Sequence, residues 1–449
     1  MRTVSSVVVL ALLAVGCSHK SPGSGDDDDD VTGDGGTSGD DDGGGQHPHS
    51  VTLVMHHQPA NPGQFGYLVA YQDGSGPWTL APAPAGETYT LPIFSPVYAV
   101  AWTCISGGPT GSLRQVNMDQ FAMAERTALD VVVPPRCSEA GGLVTLHGTV
   151  ENRAFLTSYV VKFGDRSAVV GDNDEFTLVT PPGTHDLIVL GGSQITASGE
   201  FTASSAIVQR GFTAGANMDV SIDASDAEAV QGFAVNNLFG GSRQLSTVDL
   251  YTANGTVANV VTDTGFPFSN EALAVDQMAG GDVYNQQMQV VQFNGTSVAS
   301  STATASPTDE TWVDVPQLGA VTATAASAPY IRVSTDWPAY PGAVGYGWLA
   351  VQTPTNNGNQ NACGGGGSCT ILWTAQLSAG VIGAAGTYTM PDLSALAGWS
   401  PALQLVAGAQ VKGGLQAMTS TGMGDFPALV PPATGTHRTF ATTPFTVTP

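Results

Sequence analysis

The amino-acid sequence predicts an all-β protein built of tandem small β-sandwich modules behind a disordered acidic linker. Only 11% of the residues are charged, and Gly, Ala, Ser, Thr and Val dominate. This composition is typical of short strands and turns rather than of helices laced with ion pairs. Alternating apolar and polar runs, separated by Gly, Pro and Asn-Gly turns, recur from Val51 onward. The roughly 400 residues after position 49 are enough for three or four domains.

The first 16 residues are typical of an export signal. Arg2 precedes an apolar run from Val4 to Val15 that only Ser5 and Ser6 interrupt. The run is too short to span a bilayer, which takes about 20 residues. Ala14-Val15-Gly16-Cys17 resembles the lipobox of bacterial lipoproteins, in which a peptidase cuts before the cysteine and the thiol carries a diacylglycerol. The resemblance implies that Cys17 is the lipidated first residue of the mature chain.

Residues 17–49 form the acidic linker. They are almost entirely Asp, Gly, Ser and Thr, with "GDDDDD" and "GDDDGGG" blocks that cannot bury apolar area and whose charges repel one another. We predict a flexible leash of about 30 Å r.m.s. reach between lipid and folded protein. Ser18, rather than Asp, follows the cysteine, which resembles cargo of the outer membrane in bacteria with two membranes. The predicted partner is therefore the membrane, reached through a lipid anchor.

Charge and cysteine content limit the partners and the compartment. The net charge is −24, and the only lysines of the chain are Lys20, Lys162 and Lys412. Because phosphate binding needs clustered Lys and Arg, we exclude nucleic acid as a partner. Four cysteines besides Cys17 agree with export. The favoured disulfides are Cys104 with Cys137, and Cys363 with Cys369; a zinc site is the less favoured alternative, because no short CxxC spacing occurs.

The first folded segment, 50–140, starts with the strand pattern "VTLVMHH" and continues through "FGYLVAYQDGSGPWTL". Within it we predict one helix, from Gln115 to Ala128. Met118, Phe121, Met123 and Ala124 are spaced there as on one buried helix face.

The segment 141–225 carries a family resemblance. Gly148-Thr149-Val150, Phe176-Thr177-Leu178 and the run from Pro182 to Val189 resemble the carboxypeptidase regulatory-like module. The resemblance implies a small transthyretin-like β-sandwich without catalytic chemistry. The chain departs from the family at Asn173-Asp174-Glu175, where an Asp-Gly turn is usual, and at His185, where Tyr is usual.

Two further β-rich segments, 226–308 and 309–449, complete the chain. Asn254-Gly255 and Asn294-Gly295 predict hairpins in the first of them. The second holds five of the seven Trp residues and the polar insertion "TPTNNGNQNACGGGGSC". An aromatic-Thr-apolar triplet recurs as Tyr89-Thr90-Leu91, Phe176-Thr177-Leu178 and Tyr388-Thr389-Met390, which suggests related transthyretin-like or immunoglobulin-like sandwiches.

Two groups of side chains are candidates for binding. Trp337, Tyr340, Tyr346 and Trp348 lie in a Pro- and Gly-rich stretch and are candidate glycan-stacking rings; the alternative is that they fill a sandwich core. His47, His49, His56 and His57 are weaker candidates for copper or zinc. The favoured interpretation of the histidines is solvated linker and strand-end residues.

The motif search predicts that the protein is not an enzyme and uses no cofactor. The sequence contains no G-x-S-x-G, H-E-x-x-H or G-x-x-x-x-G-K-[ST] motif. We therefore favour a non-catalytic, lipid-anchored envelope protein of the outer membrane, facing the periplasm or the medium, with a glycan or a protein as ligand. An accessory subunit of a polysaccharide- or peptide-degrading system and a metal-handling lipoprotein remain as alternatives.

Overall fold

The computed structural model describes residues 49–449 except 57, 60–65, 109–110, 134–136, 138–142, 155–156, 196–199, 217, 237–242, 264–267, 293, 307–309, 312–314, 355–368, 384–385 and 422–432. The predicted export signal, the lipidation site Cys17, the acidic linker, His47, His57 and Cys363 lie outside the described residues.

The first two groups of strands, here called module 1 and module 2, contain seven strands each. Module 1 consists of β1 (His49–His56), β2 (Leu68–Asp73), β3 (Thr79–Leu80), β4 (Thr88–Ile93), β5 (Val97–Gly108), β6 (Gly111–Ala122) and β7 (Ala128–Val132). Module 2 consists of β8 (Val144–Glu151), β9 (Ser158–Phe163), β10 (Arg166–Val169), β11 (Glu175–Thr180), β12 (Gly183–Ile195), β13 (Glu200–Ala214) and β14 (Met218–Asp223).

Module 3 follows a two-residue strand, β15 (Glu228–Ala229). It consists of β16 (Gln231–Asn236), β17 (Arg243–Tyr251), β18 (Val257–Asp263), β19 (Phe268–Ala272), β20 (Val283–Val291), β21 (Ser297–Thr304) and β22 (Glu310–Thr311). Module 4 consists of β23 (Thr322–Ala326), β24 (Arg332–Trp337), β25 (Gly345–Gln352), β26 (Cys369–Ser378), β27 (Gly386–Thr389), β28 (Val411–Ser420) and β29 (His437–Val447). The helical elements of the described residues are one α-helix, α1 (Ala379–Ile382), and 3₁₀ turns at Ala224–Asp226, Val275–Gln277 and Pro401–Leu403.

Modules 1 to 3 share one sandwich topology. In each, the first strand is the centre of a small three-stranded sheet and pairs antiparallel with the fourth strand and parallel with the last: β4-β1-β7, β11-β8-β14 and β19-β16-β22. The other four strands form the second layer, in the order β3-β2-β5-β6, β10-β9-β12-β13 and β18-β17-β20-β21.

Module 4 repeats this arrangement with one change. Its second layer is β26-β25-β28-β29, and β24 pairs with β27 as β1 pairs with β4. The third place in the small sheet is taken by β23, which pairs antiparallel with β24. The prediction of an all-β fold of tandem small sandwiches is thus confirmed.

The recurring aromatic-Thr-apolar triplet occupies equivalent positions in three modules. It lies on β4, on β11, and at the end of β27. In each case the aromatic side chain (Tyr89, Phe176, Tyr388) and the apolar one two residues on (Leu91, Leu178, Met390) are buried. A strand directs alternate side chains to one face, so the triplet is the inward-facing pair of the fourth strand in each sandwich.

The second layers of the four modules join edge to edge into one continuous sheet, here called the joined sheet. Between modules 2 and 3, β13 pairs antiparallel with β18; between modules 3 and 4, β21 pairs antiparallel with β29; and β26 of module 4 pairs parallel with β6 of module 1. The spatial order is therefore module 2, 3, 4, 1. Each join satisfies backbone groups that an isolated sandwich would leave at an open edge.

The helix predicted for Gln115–Ala128 is wrong, because most of this segment lies in strand β6. The spacing of the apolar residues resembles that of a buried helix face because β6 is buried on both of its faces. Val116 and Met118 lie in the core of module 4, whereas Phe121 lies in the core of module 1. A strand with two buried faces loses the period-2 alternation that identifies a half-buried strand.

The predicted disulfide between Cys104 and Cys137 is confirmed. Both residues are fully buried, and their Cα atoms lie 5.6 Å apart. Cys369 is also disulfide-bonded and buried, but its predicted partner Cys363 is outside the described residues, so that pairing stays a prediction. The turn signals Asn254-Gly255 and Asn294-Gly295 each connect two paired strands, with Gly255 and Gly295 at positive φ.

Candidate binding face

The four candidate glycan rings lie in the core of module 4. Trp337, Tyr340, Tyr346 and Trp348 are 4%, 5%, 1% and 1% exposed. The ring of Trp348 packs edge-on to Tyr388 at 4.9 Å and stacks on Phe445 at 5.9 Å. None of the four presents a ring face to solvent, so the rings fill the sandwich core, which was the alternative, and are not placed to stack on a glycan. Burial of their large apolar area drives them inward.

The two described histidines of the metal hypothesis lie at opposite ends of β1. His49 is exposed at its start. At its end, His56 contacts two carboxylates: its Nδ1 lies 3.1 Å from Glu87 Oε2, and its Nε2 lies 2.8 Å from Asp130 Oδ1. Within the described ranges, no three His, Cys, Asp or Glu side chains are placed to hold a metal ion together.

A candidate binding face lies on the opposite side of the joined sheet from the module 4 core. On β26, β25 and β28, the side chains of Trp373, Trp348 and Leu415 lie in that core. Residues of the other parity must face away from it. They include a register-aligned row across six strands, here called the polar strip: Asp119, Gln376, Gly347, Gln416, Thr442 and Ser297.

The polar strip is a row of hydrogen-bonding groups with a gap in its middle. Gln416 Nε2 donates to Thr442 Oγ1 at 3.3 Å, and Gln289 Nε2 on β20 donates to Ser297 Oγ at 3.2 Å. A Cβ at Gly347 would lie 3.7 Å from Gln376 Oε1 and 3.9 Å from Gln416 Oε1. Both amide oxygens therefore border the space above Gly347, and the glutamine side chains are only half-buried.

Three polar atoms on this face are buried and lack a hydrogen-bond partner among the described residues. They are Asn117 Nδ2, Asn285 Oδ1 and Ser378 Oγ. Asn117 Oδ1, in contrast, accepts from Gln115 Nε2 at 2.7 Å and from Thr374 Oγ1 at 2.8 Å. An unsatisfied buried polar group costs about 1–3 kcal/mol, so these atoms favour a partner that supplies hydrogen bonds.

The carboxyl group of the polar strip belongs to Asp119. Burial raises the pKa of Asp119 to about 7, against the opposing attraction of Arg126. At neutral pH this buried carboxyl group is therefore close to half protonated. The half-buried members of the strip, Gln376, Gln416 and Thr442, carry amides and a hydroxyl group.

A second polar cluster holds modules 2 and 3 together. Arg210 Nη1 donates to Asp186 Oδ2 at 2.8 Å, and Arg210 Nη2 donates to Asp282 Oδ2 at 2.6 Å. Both carboxylates are fully buried, while the arginine side chain is 27% exposed. Burial opposes ionisation of Asp186, but hydrogen bonds from Asn254, Gly211 and Arg210 outweigh it and lower its pKa.

His185 takes part in the same contact between modules. Its Nδ1 lies 2.9 Å from the carbonyl oxygen of Asn254 in module 3. Its ring also packs edge-on to Phe163 at 5.1 Å. Next to it, Thr256 Oγ1 donates to the carbonyl of Asp186 at 2.5 Å. The hairpin turn predicted at Asn254-Gly255 is thus part of a module junction.

Sequence reasoning missed both the polar strip and the module junction. The strip combines residues more than 300 positions apart, and only the folded sheet aligns them. A weak signal was present in alternating polar positions of "TILWTAQLS" and "KGGLQAMTS", where the apolar partners are buried.

The comparisons with known proteins are distant. No family model and no curated protein matches the chain. It is similar to a tetra-tandem repeat from the extending region of a large adhesion protein, at 13% identity over 88% of this chain and 99% of that one, with a TM-score of 0.13. A Streptococcal ancillary pilin is 10% identical over 58% of this chain and 96% of its own, with a TM-score of 0.13.

The chicken CNTN1 FN1–FN3 domains are 10% identical over 90% of this chain and 96% of their own, with a TM-score of 0.15. TM-scores this low carry no argument, so the fold assignment rests on the strand pairing described above. Within the described ranges, no helix has the length and apolar character needed to cross a membrane.

Proposed function

We propose that this chain is a non-catalytic cell-envelope protein, held at the outer membrane by a lipid on Cys17, whose joined sheet presents the polar strip to a ligand. The observation that carries the proposal is the strip itself. Its residues come from β6, β26, β25, β28, β29 and β21 and are aligned by register on the face opposite the module 4 core.

The chemistry of the strip favours an uncharged ligand rich in hydroxyl or amide groups. Gln376, Gln416 and Thr442 offer donors and acceptors without fixed charge. The net charge of −24 disfavours polyanions. The edge-to-edge joins between modules make the platform rigid, and rigid positioning lowers the entropy cost of binding.

The anchoring part of the proposal is tested by metabolic labelling with radioactive palmitate. The full chain is expected to incorporate label and to fractionate with outer membranes. Cys17→Ser should abolish labelling and prevent the protein from fractionating with outer membranes. Ser18→Asp is the matched control for sorting: it should keep the label but move the protein away from the outer membrane. Labelling that survives Cys17→Ser would refute the lipid anchor.

A second candidate function is recognition of a neutral glycan by the polar strip. It is favoured by Asn285 Oδ1 and Ser378 Oγ on the same face, which are buried and have no hydrogen-bond partner among the described residues. Sugar hydroxyls satisfy such atoms, since each hydroxyl both donates and accepts. This candidate uses the strip and not the buried rings of module 4.

The glycan candidate is tested on a glycan array with the full chain carrying Cys17→Ser. Gln376→Leu together with Gln416→Leu should reduce binding of any hit at least tenfold. Gln317→Leu is the matched control, because Gln317 is an exposed glutamine outside the strip. Equal loss in both variants, or no loss in the double variant, would exclude the strip as the glycan site.

A further inference from the structure

In each module, one edge of the large sheet is formed by the strand equivalent to β3 of module 1. Modules 3 and 4 each use this strand to join a neighbouring module. In module 3 this strand is β18, which pairs with β13 of module 2. In module 4 it is β26, which pairs with β6 of module 1. In modules 1 and 2, at the two ends of the joined sheet, the equivalent strands β3 and β10 have one strand partner each among the described residues, β2 and β9.

The strands β3 and β10 differ in how well they are protected against pairing with a further strand. β3 has only two residues, Thr79 and Leu80, and Pro77 and Pro82 flank it closely. Short length and proline are the devices by which proteins prevent pairing at a sheet edge. β10 has four residues, "RSAV", and no proline within or beside it.

The backbone groups on the free side of β10 belong to Ser167 and Val169. Val170 N donates to Tyr159 O of β9 at 2.9 Å. The bonds of an antiparallel pair alternate, so Ala168 and Arg166 also bond to β9, and the N–H and C=O of Ser167 and Val169 point away from it. Both side chains are exposed, that of Val169 by 60%.

Exposed apolar side chains are concentrated in the two end modules, and two of them lie on the edge strands β3 and β10. The exposed large apolar side chains of the described residues are Leu80, Phe94, Val169 and Val179. They lie on or beside β3, β4, β10 and β11 of the two end modules.

We infer that β10 pairs antiparallel with β10 of a second copy of this chain, continuing the joined sheet across a two-fold axis. The opposite edge of the large sheet in each module is formed by β6, β13, β21 or β29. Each of these strands already pairs with a strand of a neighbouring module. Among the two end edges of the joined sheet, β3 is short and flanked by proline, which disfavours pairing there. Pairing of β10 with itself is therefore the arrangement of the joined sheet that we favour for two copies, and its interface is isologous.

The hydrogen-bond pattern determines the register of this pair. With Ala168 on the two-fold axis, Ser167 of each copy lies opposite Val169 of the other, and each such pair exchanges two backbone hydrogen bonds. Four bonds and two half-exposed valines make a small interface, so the dimer is reversible and depends on concentration.

Sedimentation velocity over a concentration series tests this inference, using the full chain with Cys17→Ser as the background. The background protein should dimerise. Val169→Pro removes an outward N–H without breaking a bond to β9 and should raise the dissociation constant at least tenfold. Val169→Lys, a charge on the edge, should do the same. Leu80→Pro is the matched control. Ala81 N bonds to Val69 O on β2, so the N–H of Leu80 points away from the sheet, as that of Val169 does on β10.

The outcome is unambiguous when far-UV circular dichroism shows that each variant is folded. Dimers of the background and of Leu80→Pro, with monomers of both Val169 variants, support the inference. A background protein that stays monomeric at every concentration overturns it. So does a dimer that persists in both Val169 variants, or one that Leu80→Pro weakens equally.

Discussion

The guanidinium group of Arg210 in module 2 donates to the carboxylate of Asp282 in module 3 across 2.6 Å. The same guanidinium binds Asp186 of its own module, so one cation is shared by two buried carboxylates. Asp282 also accepts from the backbone N–H groups of Ala253 and Ala279. A buried charge is tolerated when it is paired and hydrogen-bonded in this way, and the pairing makes the junction specific.

Removing this cation should destabilise modules 2 and 3. We expect Arg210→Met to lower the free energy of unfolding by about 3–5 kcal/mol, because it leaves two buried carboxylates without a counter-charge. Urea unfolding followed by far-UV circular dichroism measures the change. Arg153→Met is the control, since Arg153 pairs with the exposed Asp174 and should cost less than about 1 kcal/mol. Equal effects of the two variants would contradict the role of the junction.

The raised pKa of Asp119 predicts that stability falls as the pH rises from about 4 to about 7. In this window the unfolded chain loses the proton of Asp119, whose ordinary pKa is 3.8, while the folded chain retains it up to about 7. The shift corresponds to at most about 4 kcal/mol. Asp119→Asn should remove this fall and make the protein more stable than the parent at pH 8.

The pH prediction is measured by urea unfolding with Trp fluorescence, because all seven Trp lie outside residues 144–311 and so report on the part of the chain around Asp119 rather than on module 2. Parallel pH profiles for the parent and Asp119→Asn, between pH 4 and 8, would show that the carboxyl group does not titrate as described.

Trp348 should behave as a core residue and not as a binding residue. Trp348→Ala leaves a cavity between Tyr388 and Phe445 and should cost about 3–5 kcal/mol of unfolding free energy. The control is Phe94→Ala, whose side chain is 48% exposed and whose loss should change stability by less than about 0.5 kcal/mol. If Trp348→Ala were as stable as Phe94→Ala, the ring could not be packed as it is here.

The disulfide between Cys104 and Cys137 should stabilise module 1 by restricting its unfolded chain. The cysteines are 33 residues apart in sequence, which corresponds to about 3–4 kcal/mol. We expect Cys104→Ser combined with Cys137→Ser to lower the urea midpoint that Trp fluorescence reports. A midpoint equal to that of the parent would mean that the bond does not restrict the unfolded chain.

Several features of the fold were predictable because their causes are local in sequence. Alternating side chains and Asn-Gly turns identify strands and hairpins within about ten residues, as at Asn254-Gly255. The failures share a cause as well. The helix predicted at Gln115–Ala128 is wrong, and the sequence left open whether the rings of Trp337 and Trp348 fill a core, because burial depends on elements distant in the chain. Strand β6 is buried by module 4 on one face and by its own module on the other.

The sequence by itself determined the all-β class and the repetition of the sandwich triplet, because period-2 patterning and turn residues are properties of the chain. It favoured the pairing of Cys104 with Cys137, which the structure confirms. The tertiary structure decided which edges join, which face carries the polar strip, and which edge stays open. Those outcomes depend on contacts such as the hydrogen bond from Thr374 to Asn117, which joins residues 257 positions apart. No local pattern encodes such a partner, since a strand edge offers the same backbone groups to any neighbour.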